Sequence, residues 1–162
     1  MNAVIEPTSC PSRRLLIGTL LAAALASGSP VWASLGQDVA SVENDRAQMQ
    51  GSRTIIATQD YSIHEIQAPT GTVVREFVLA DGTVFAIAWE GPFIPNLRRL
   101  LGAYFVPFAQ AAQEQQGHAR HGALRVETPD LVVEAGGHMR AFFGRAYVPA
   151  LLPQSLPPGG LQ

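Results

Sequence analysis

Residues 71–92 read GTVVREFVLADGTVFAIAWEGP. β-Branched and aromatic side chains dominate the stretch. Asp81-Gly82 sits at its centre, a dipeptide that turns one strand back on another. Two registers are open to the hairpin. A two-residue Asp81-Gly82 loop sets Val78 opposite Phe85, Glu76 opposite Ile87 and Val74 opposite Trp89. A three-residue loop from Ala80 to Gly82, with Gly82 left-handed as a bulge, sets Leu79 opposite Thr83 and Phe77 opposite Phe85. The second gathers Phe77, Leu79, Phe85, Ile87 and Trp89 on one face. It leaves Val74, Val78, Val84, Ala86 and Ala88 on the other, and it is preferred because a helix can lie close over the small side chains. In either register both faces are apolar, so the hairpin belongs at the centre of a sheet covered on both sides. Arg75 and Glu76 are its polar exceptions.

Outward from the hairpin, residues 38–50 carry a short helix with Val39, Val42, Arg46 and Met49 near one stripe. Residues 53–58 and 61–67 read as strands separated by Gln59-Asp60, and Pro69-Thr70-Gly71 turns the chain into the hairpin. After Gly91-Pro92, the residues Leu97, Leu100, Leu101, Tyr104, Phe105 and Phe108 follow helical spacing, and Pro107 is expected to kink or split that helix. Strands are expected over 123–128 and 131–135, then a tight turn at Gly136-Gly137 and a third run over 138–148. Residues 149–162 hold four prolines and no periodicity, which predicts an extended or disordered tail. The fold expected is α+β: an antiparallel meander sheet with the 95–116 helical segment packed on one face, after a cleaved signal.

That signal is residues 1–33. Arg13-Arg14 supply the positive end, Leu15 to Ala26 the apolar run, and Val31-Trp32-Ala33 a small-x-small cleavage site before Ser34. The paired arginines leave both the general and the twin-arginine export routes open. Cleavage removes Glu6, Arg13, Arg14 and the single cysteine, Cys10. The mature chain then has 129 residues, nine arginines, twelve carboxylates, no lysine and a net charge of −3. Without cysteine it has no disulfide, thiol nucleophile or cysteine-ligated metal. Without lysine it has no Schiff base and no P-loop. A scattered, mildly acidic charge argues against nucleic acid as a partner, and no stable membrane anchor is expected once the signal is gone.

Several short motifs together resemble a known family. They are Ala33-Ser34-Leu35-Gly36, Tyr61-Ser62-Ile63-His64-Glu65, residues 71–77 and 84–92, Asn96-Leu97-Arg98-Arg99-Leu100-Leu101-Gly102, residues 136–142, and Gly144-Arg145-Ala146-Tyr147-Val148-Pro149. In combination they are similar to the exported bacterial domain-of-unknown-function family 2844. The resemblance implies Gram-negative export and a single domain over residues 34–148. It implies no activity, and no catalytic residue is carried over from it.

The remaining side chains are weighed one by one. His118 and His121 have metal-compatible spacing in a glycine-flanked loop, but no third ligand stands near them in sequence, so no metal or other cofactor is expected. Strand alternation sends His64 and Glu65 to opposite faces, which rules out a local acid–base pair. His138, Arg140 and Phe142 share a face of a regular strand, and Arg145 joins that surface, where arginines beside aromatics suit a carboxylate or a sugar. The binding candidates are therefore His64, Glu65, Arg75, Trp89, His138, Arg140 and Arg145; catalytic candidates are none. No Gly-x-Ser-x-Gly elbow occurs. The reading that follows is a periplasmic or secreted non-catalytic module that binds an envelope protein or small ligand. The alternative is a small periplasmic hydrolase of envelope carbohydrate or peptide, using Glu65 or Glu76 with His64, His138 or Arg140.

Overall fold

The structure, a computed structural model, describes residues 35–115 and 124–162. The expected signal, and the expected loop around His118 and His121, lie outside the described residues. Seven strands form one antiparallel sheet in the order β1-β2-β3-β4-β7-β6-β5. They are β1 (Ser52–Ala57), β2 (Tyr61–Gln67), β3 (Val73–Leu79), β4 (Val84–Gly91), β5 (Leu124–Glu127), β6 (Val132–His138) and β7 (Ala141–Tyr147). Two meanders, β1 to β4 and β5 to β7, are thus joined through the β4–β7 pair. Among the described residues three α-helices complete the α+β fold: α1 (Ala40–Met49), α2 (Leu97–Leu101) and α3 (Phe105–Gln115).

The central hairpin uses both registers. At the turn, Leu79 N–H donates to Thr83 O at 2.9 Å and Gly82 takes φ 90°, the three-residue loop with its left-handed glycine. Beyond Val78↔Val84 the register shifts, and Phe77 faces Ala86, Glu76 faces Ile87 and Val74 faces Trp89. Phe85 is the extra residue. This bulge overturns the expected sorting of large from small side chains. Ile87 and Trp89 join Val74, Val78 and Val84 on the helix side, while Phe77 and Phe85 pack on the opposite side. There Phe85 meets Tyr61 and Phe77, with ring centroids 5.9 and 6.1 Å apart.

Six consecutive residues of β4, Val84 to Trp89, are buried, so the strand is covered twice. On one face lie Val42 of α1, Leu100 and Leu101 of α2 and Phe108 of α3. Asn96 caps α2, its side-chain oxygen accepting from Arg99 N–H at 3.3 Å. The break between α2 and α3 is a 3-10 turn at Gly102–Tyr104, upstream of Pro107. Pro107 itself sits in the first turn of α3, where a missing N–H costs no intrahelical bond.

The other face is closed by residues 149–162. The expected extended or disordered tail instead forms two 3-10 turns, Pro149–Leu151 and Pro158–Gly160, and buries Leu156 and Leu161 against Phe77, Phe85 and Tyr147. Prolines hinder helix and strand, but they do not prevent a segment from docking its leucines on an uncovered apolar face. A second difference lies at Gly136-Gly137, which continue β6 rather than turning; the turn is Met139-Arg140, with Arg140 at φ 67°.

Leu156→Ala and Leu161→Ala are each expected to lower stability by about 2–4 kcal/mol, as buried leucines do. Urea unfolding measures this. A loss below roughly 0.5 kcal/mol, the range of surface substitutions, would show that the segment does not cover the core.

Candidate functional site

One cross-strand row on the face covered by residues 149–162 runs Glu65, Arg75, Ala88, Arg145, Glu134, Arg125 from β2 to β5. Pleating places all six side chains on that side, alternating in sign except at Ala88. Each arginine of the row is paired with a carboxylate. Arg75 donates from Nε to Glu65 at 2.8 Å and from Nη2 to Glu90 at 2.9 Å. Arg145 donates from Nε to Glu134 at 2.6 Å and from Nη1 to Pro158 O at 2.8 Å. Arg125 pairs with Glu134 from the far side and with Glu127 at 2.9 Å. Partial burial works against the charge of Arg75, but its bonds and attraction to Glu65 and Glu90 outweigh it and raise its pKa.

The result is a cleft of about 440 Å³ over Ala88. Arg75, Glu90, Glu134 and Arg145 form its charged walls, with Leu161 and Phe143 as apolar ones. Phe143, directly opposite Glu90 in the β4–β7 ladder, is 60% exposed, an unusual state for a large aromatic side chain. Two guanidiniums meet three carboxylates here, and both cations are already paired.

Of the sequence candidates, Arg75, Trp89 and Arg145 border this cleft and Glu65 reaches it through Arg75. Trp89 turns its ring to the helix side, against Gly144, whose position would not admit a Cβ beside that ring. His138 and Arg140 do not join the site. His138 ends β6 and Arg140 lies in the β6–β7 turn, both in the open, because β6 runs on through His138. Phe143, Glu90, Glu134 and Leu161 escaped the sequence reading. The available signal was the reciprocal pattern of Arg75, Glu90, Glu134 and Arg145, which only the β4–β7 and β6–β7 registers turn into a row.

A second polar cluster lies on the helix side. Glu76 of β3 is 1% exposed and Asp45 of α1 2%. Neither Glu76 oxygen nor Asp45 Oδ2 has a donor among the described residues, and Arg99 Nε stands 3.8 Å from Asp45 Oδ1. A proton held between the two carboxyls would give each a partner. Burial raises the Glu76 pKa well above the ordinary range, and Asp45 beside it raises it further. Burial likewise lifts Asp45 to about 6, against the opposing pull of Arg99. His64, the cross-strand neighbour of Glu76, is 5% exposed, and its pKa is lowered by burial and then by Arg53. Asp45 and Arg99 border a pocket of about 190 Å³ between α1 and α2, but Glu76 does not reach it. The acid pair is thus a buried contact between α1 and the sheet, closed to a substrate. Asp45 fell outside the helical stripe read from the sequence, although it lies three residues after Val42 on the same face.

The pair makes stability pH-dependent. Its folded pKa values exceed the unfolded ones, so the folded state holds more protons and stability falls as pH rises from about 4 through the folded values. His64 acts oppositely: its lowered pKa costs stability only as pH falls through the ordinary histidine range near 6.5. A loss between pH 6.5 and 9 thus has the sign expected of the acids, Glu76 above all, and not of His64. Glu76→Gln, which keeps shape and removes one charge, is expected to reduce that loss. Urea unfolding at both pH values measures it, and identical pH slopes for the two proteins would show that no proton is shared.

Neither the curated proteins nor the solved structures contain a match to the chain. Among the described residues no helix is long and apolar enough to cross a membrane, and no three His, Asp or Glu side chains converge as a metal site. A protein family does match, over residues 31–159, as the combined motifs implied. That span covers well over half of the sequence, and the chain belongs to the family described as protein of unknown function (DUF2844).

Proposed function

We propose that the protein is an exported, non-catalytic binding module of the periplasm, and that the cleft over Ala88 takes a neutral polyhydroxylated ligand of the saccharide class. The observation that carries this is the pairing of Arg75 with Glu65 and Glu90 and of Arg145 with Glu134. A carboxylate or phosphate ligand needs an unspent cation, and each guanidinium here is committed. Hydroxyl groups both donate and accept, so they suit walls that alternate guanidinium and carboxylate. The exposed ring of Phe143 gives the apolar face of a sugar a surface to lie on. The volume falls in the range of small-molecule sites. Export rests on Arg13-Arg14, the apolar run from Leu15 to Ala26, and Val31-Trp32-Ala33.

The hydrolase alternative needs an acid and a base open to the same substrate bond. Glu65 is bound to Arg75, and Glu76 is enclosed with Asp45. Neither carboxyl stands beside His138 or Arg140, which lie at the β6–β7 turn. Binding without turnover is the better reading.

Expression of the full chain in a Gram-negative host is expected to yield a periplasmic protein beginning at Ser34, read by N-terminal sequencing. Recovery of the uncut chain in the cytoplasm would remove export from the proposal.

For the ligand, calorimetric titration with neutral oligosaccharides and soluble cell-wall glycan fragments is expected to show binding. Phe143→Ala and Glu90→Gln, both at exposed side chains, should weaken it about 3–10-fold without loss of thermal stability. Acetate or a short acidic peptide should not compete. Competition by such anions, or wild-type affinity in both variants, would overturn the saccharide reading.

A further inference from the structure

The two edges of the sheet differ in kind. β5 has four residues, and two of them, Arg125 and Glu127, are exposed charges. That is how folded proteins blunt an edge. β1 has six residues, one charge, no proline and no bulge. Its Ile55 is 53% exposed and its Ile56 48%, one on each face of the sheet. An open, regular, apolar edge of this kind is a pairing surface.

Which backbone groups are free follows from the β1–β2 ladder. Thr58 N–H donates to Tyr61 O at 2.9 Å, so Thr58 faces β2. By alternation Thr54 and Ile56 also face β2, and Arg53, Ile55 and Ala57 direct their N–H and C=O outward. No described residue takes these groups. The three outward residues are symmetric about Ile55.

We infer that β1 pairs with β1 of a second copy of this chain, antiparallel about a two-fold axis at Ile55, making one continuous sheet through the dimer. Antiparallel pairing joins residues whose backbone groups both point across the seam, so partners must have the same parity. Centring on Ile55 uses all three outward residues: Ile55 faces its own copy and Arg53 faces the other copy's Ala57. The single charge of the strand thereby meets a methyl group rather than its like. Arg53 is also neutralised within its own chain by Glu43, 3.4 Å from Nη1. On the opposite face Ile56 falls beside Thr54 of the other copy. The edge is self-complementary in hydrogen bonding and in the placement of its one charge, as an isologous interface requires.

The mature chain has no cysteine, which makes the register directly readable. In the inferred pairing the two Ile55 Cα atoms stand about 5.5 Å apart, within reach of a disulfide, whereas the two Ala57 Cα atoms are separated by roughly 14 Å. Sedimentation equilibrium of the mature protein is expected to show a concentration-dependent dimer. Ile55→Cys should cross-link to itself under mild oxidant and Ala57→Cys should not. Ile55→Pro removes an outward N–H and no β1–β2 bond, and Ile55→Lys sets like charges opposite each other; both should weaken the dimer at least about 100-fold. Circular dichroism confirms that the variants are folded. A wild-type protein that stays monomeric at roughly 200 μM, whether or not another strand-forming partner binds it, overturns the inference. So does equal cross-linking at positions 55 and 57, or an undiminished dimer in folded Ile55→Pro and Ile55→Lys.

Discussion

A strand that is apolar on both faces must be covered on both, and β4 imposes that demand on the rest of the chain. Val84 to Trp89 leave no solvent-facing side, so one lid alone would strand a full row of apolar side chains in water. The helices supply the first lid. Residues 149–162 supply the second, with Leu156 and Leu161 standing over the Tyr61–Phe77–Phe85 aromatic group. The same demand accounts for β7, which takes the free edge of β4 and brings the second meander into the sheet.

The bulge at Phe85 decides which side chains each lid meets. An unbroken three-residue register would carry Phe77, Phe85, Ile87 and Trp89 together to one side. By adding one residue, the bulge turns Ile87 and Trp89 toward the helices and keeps Phe85 with Phe77. Its carbonyl is not wasted: Phe85 O accepts from Val148 N–H at 3.0 Å, just where the chain leaves β7 to begin the second lid. Ala88 thereby falls on the cleft side and Trp89 on the helix side.

Polar groups are handled differently on the two faces. On the cleft side the charges are half-exposed and satisfied in pairs, which gives rigid walls more than stability, because exposed ion pairs contribute little. On the helix side Glu76 interrupts an apolar row, and its charge has no adequate partner. Ionising it beside Asp45 would place two charges in a medium that solvates neither, so burial favours the protonated form. That is a contact between α1 and β3 that weakens in alkali, a property independent of anything the cleft binds.

The hairpin over 71–92, the helical spacing of 97–108 and the strands flanking Gln59-Asp60 were legible in the sequence, since periodicity and turn chemistry act within a few residues. So was the two-sided burial of β4, from its unbroken apolar run. Tertiary structure alone decided the rest. Gly136-Gly137 continue a strand because β7 pairs with them, and Pro107 fits a helix because the break falls before it. The proline-rich end is ordered because an uncovered aromatic face waits for its leucines. The cleft depends on register: Arg75 and Arg145 are 70 positions apart, and only the β3–β4 and β4–β7 ladders set them on either side of Ala88. Local pattern records which face a side chain favours; which partner stands opposite is settled by pairings between distant strands, where no local preference acts.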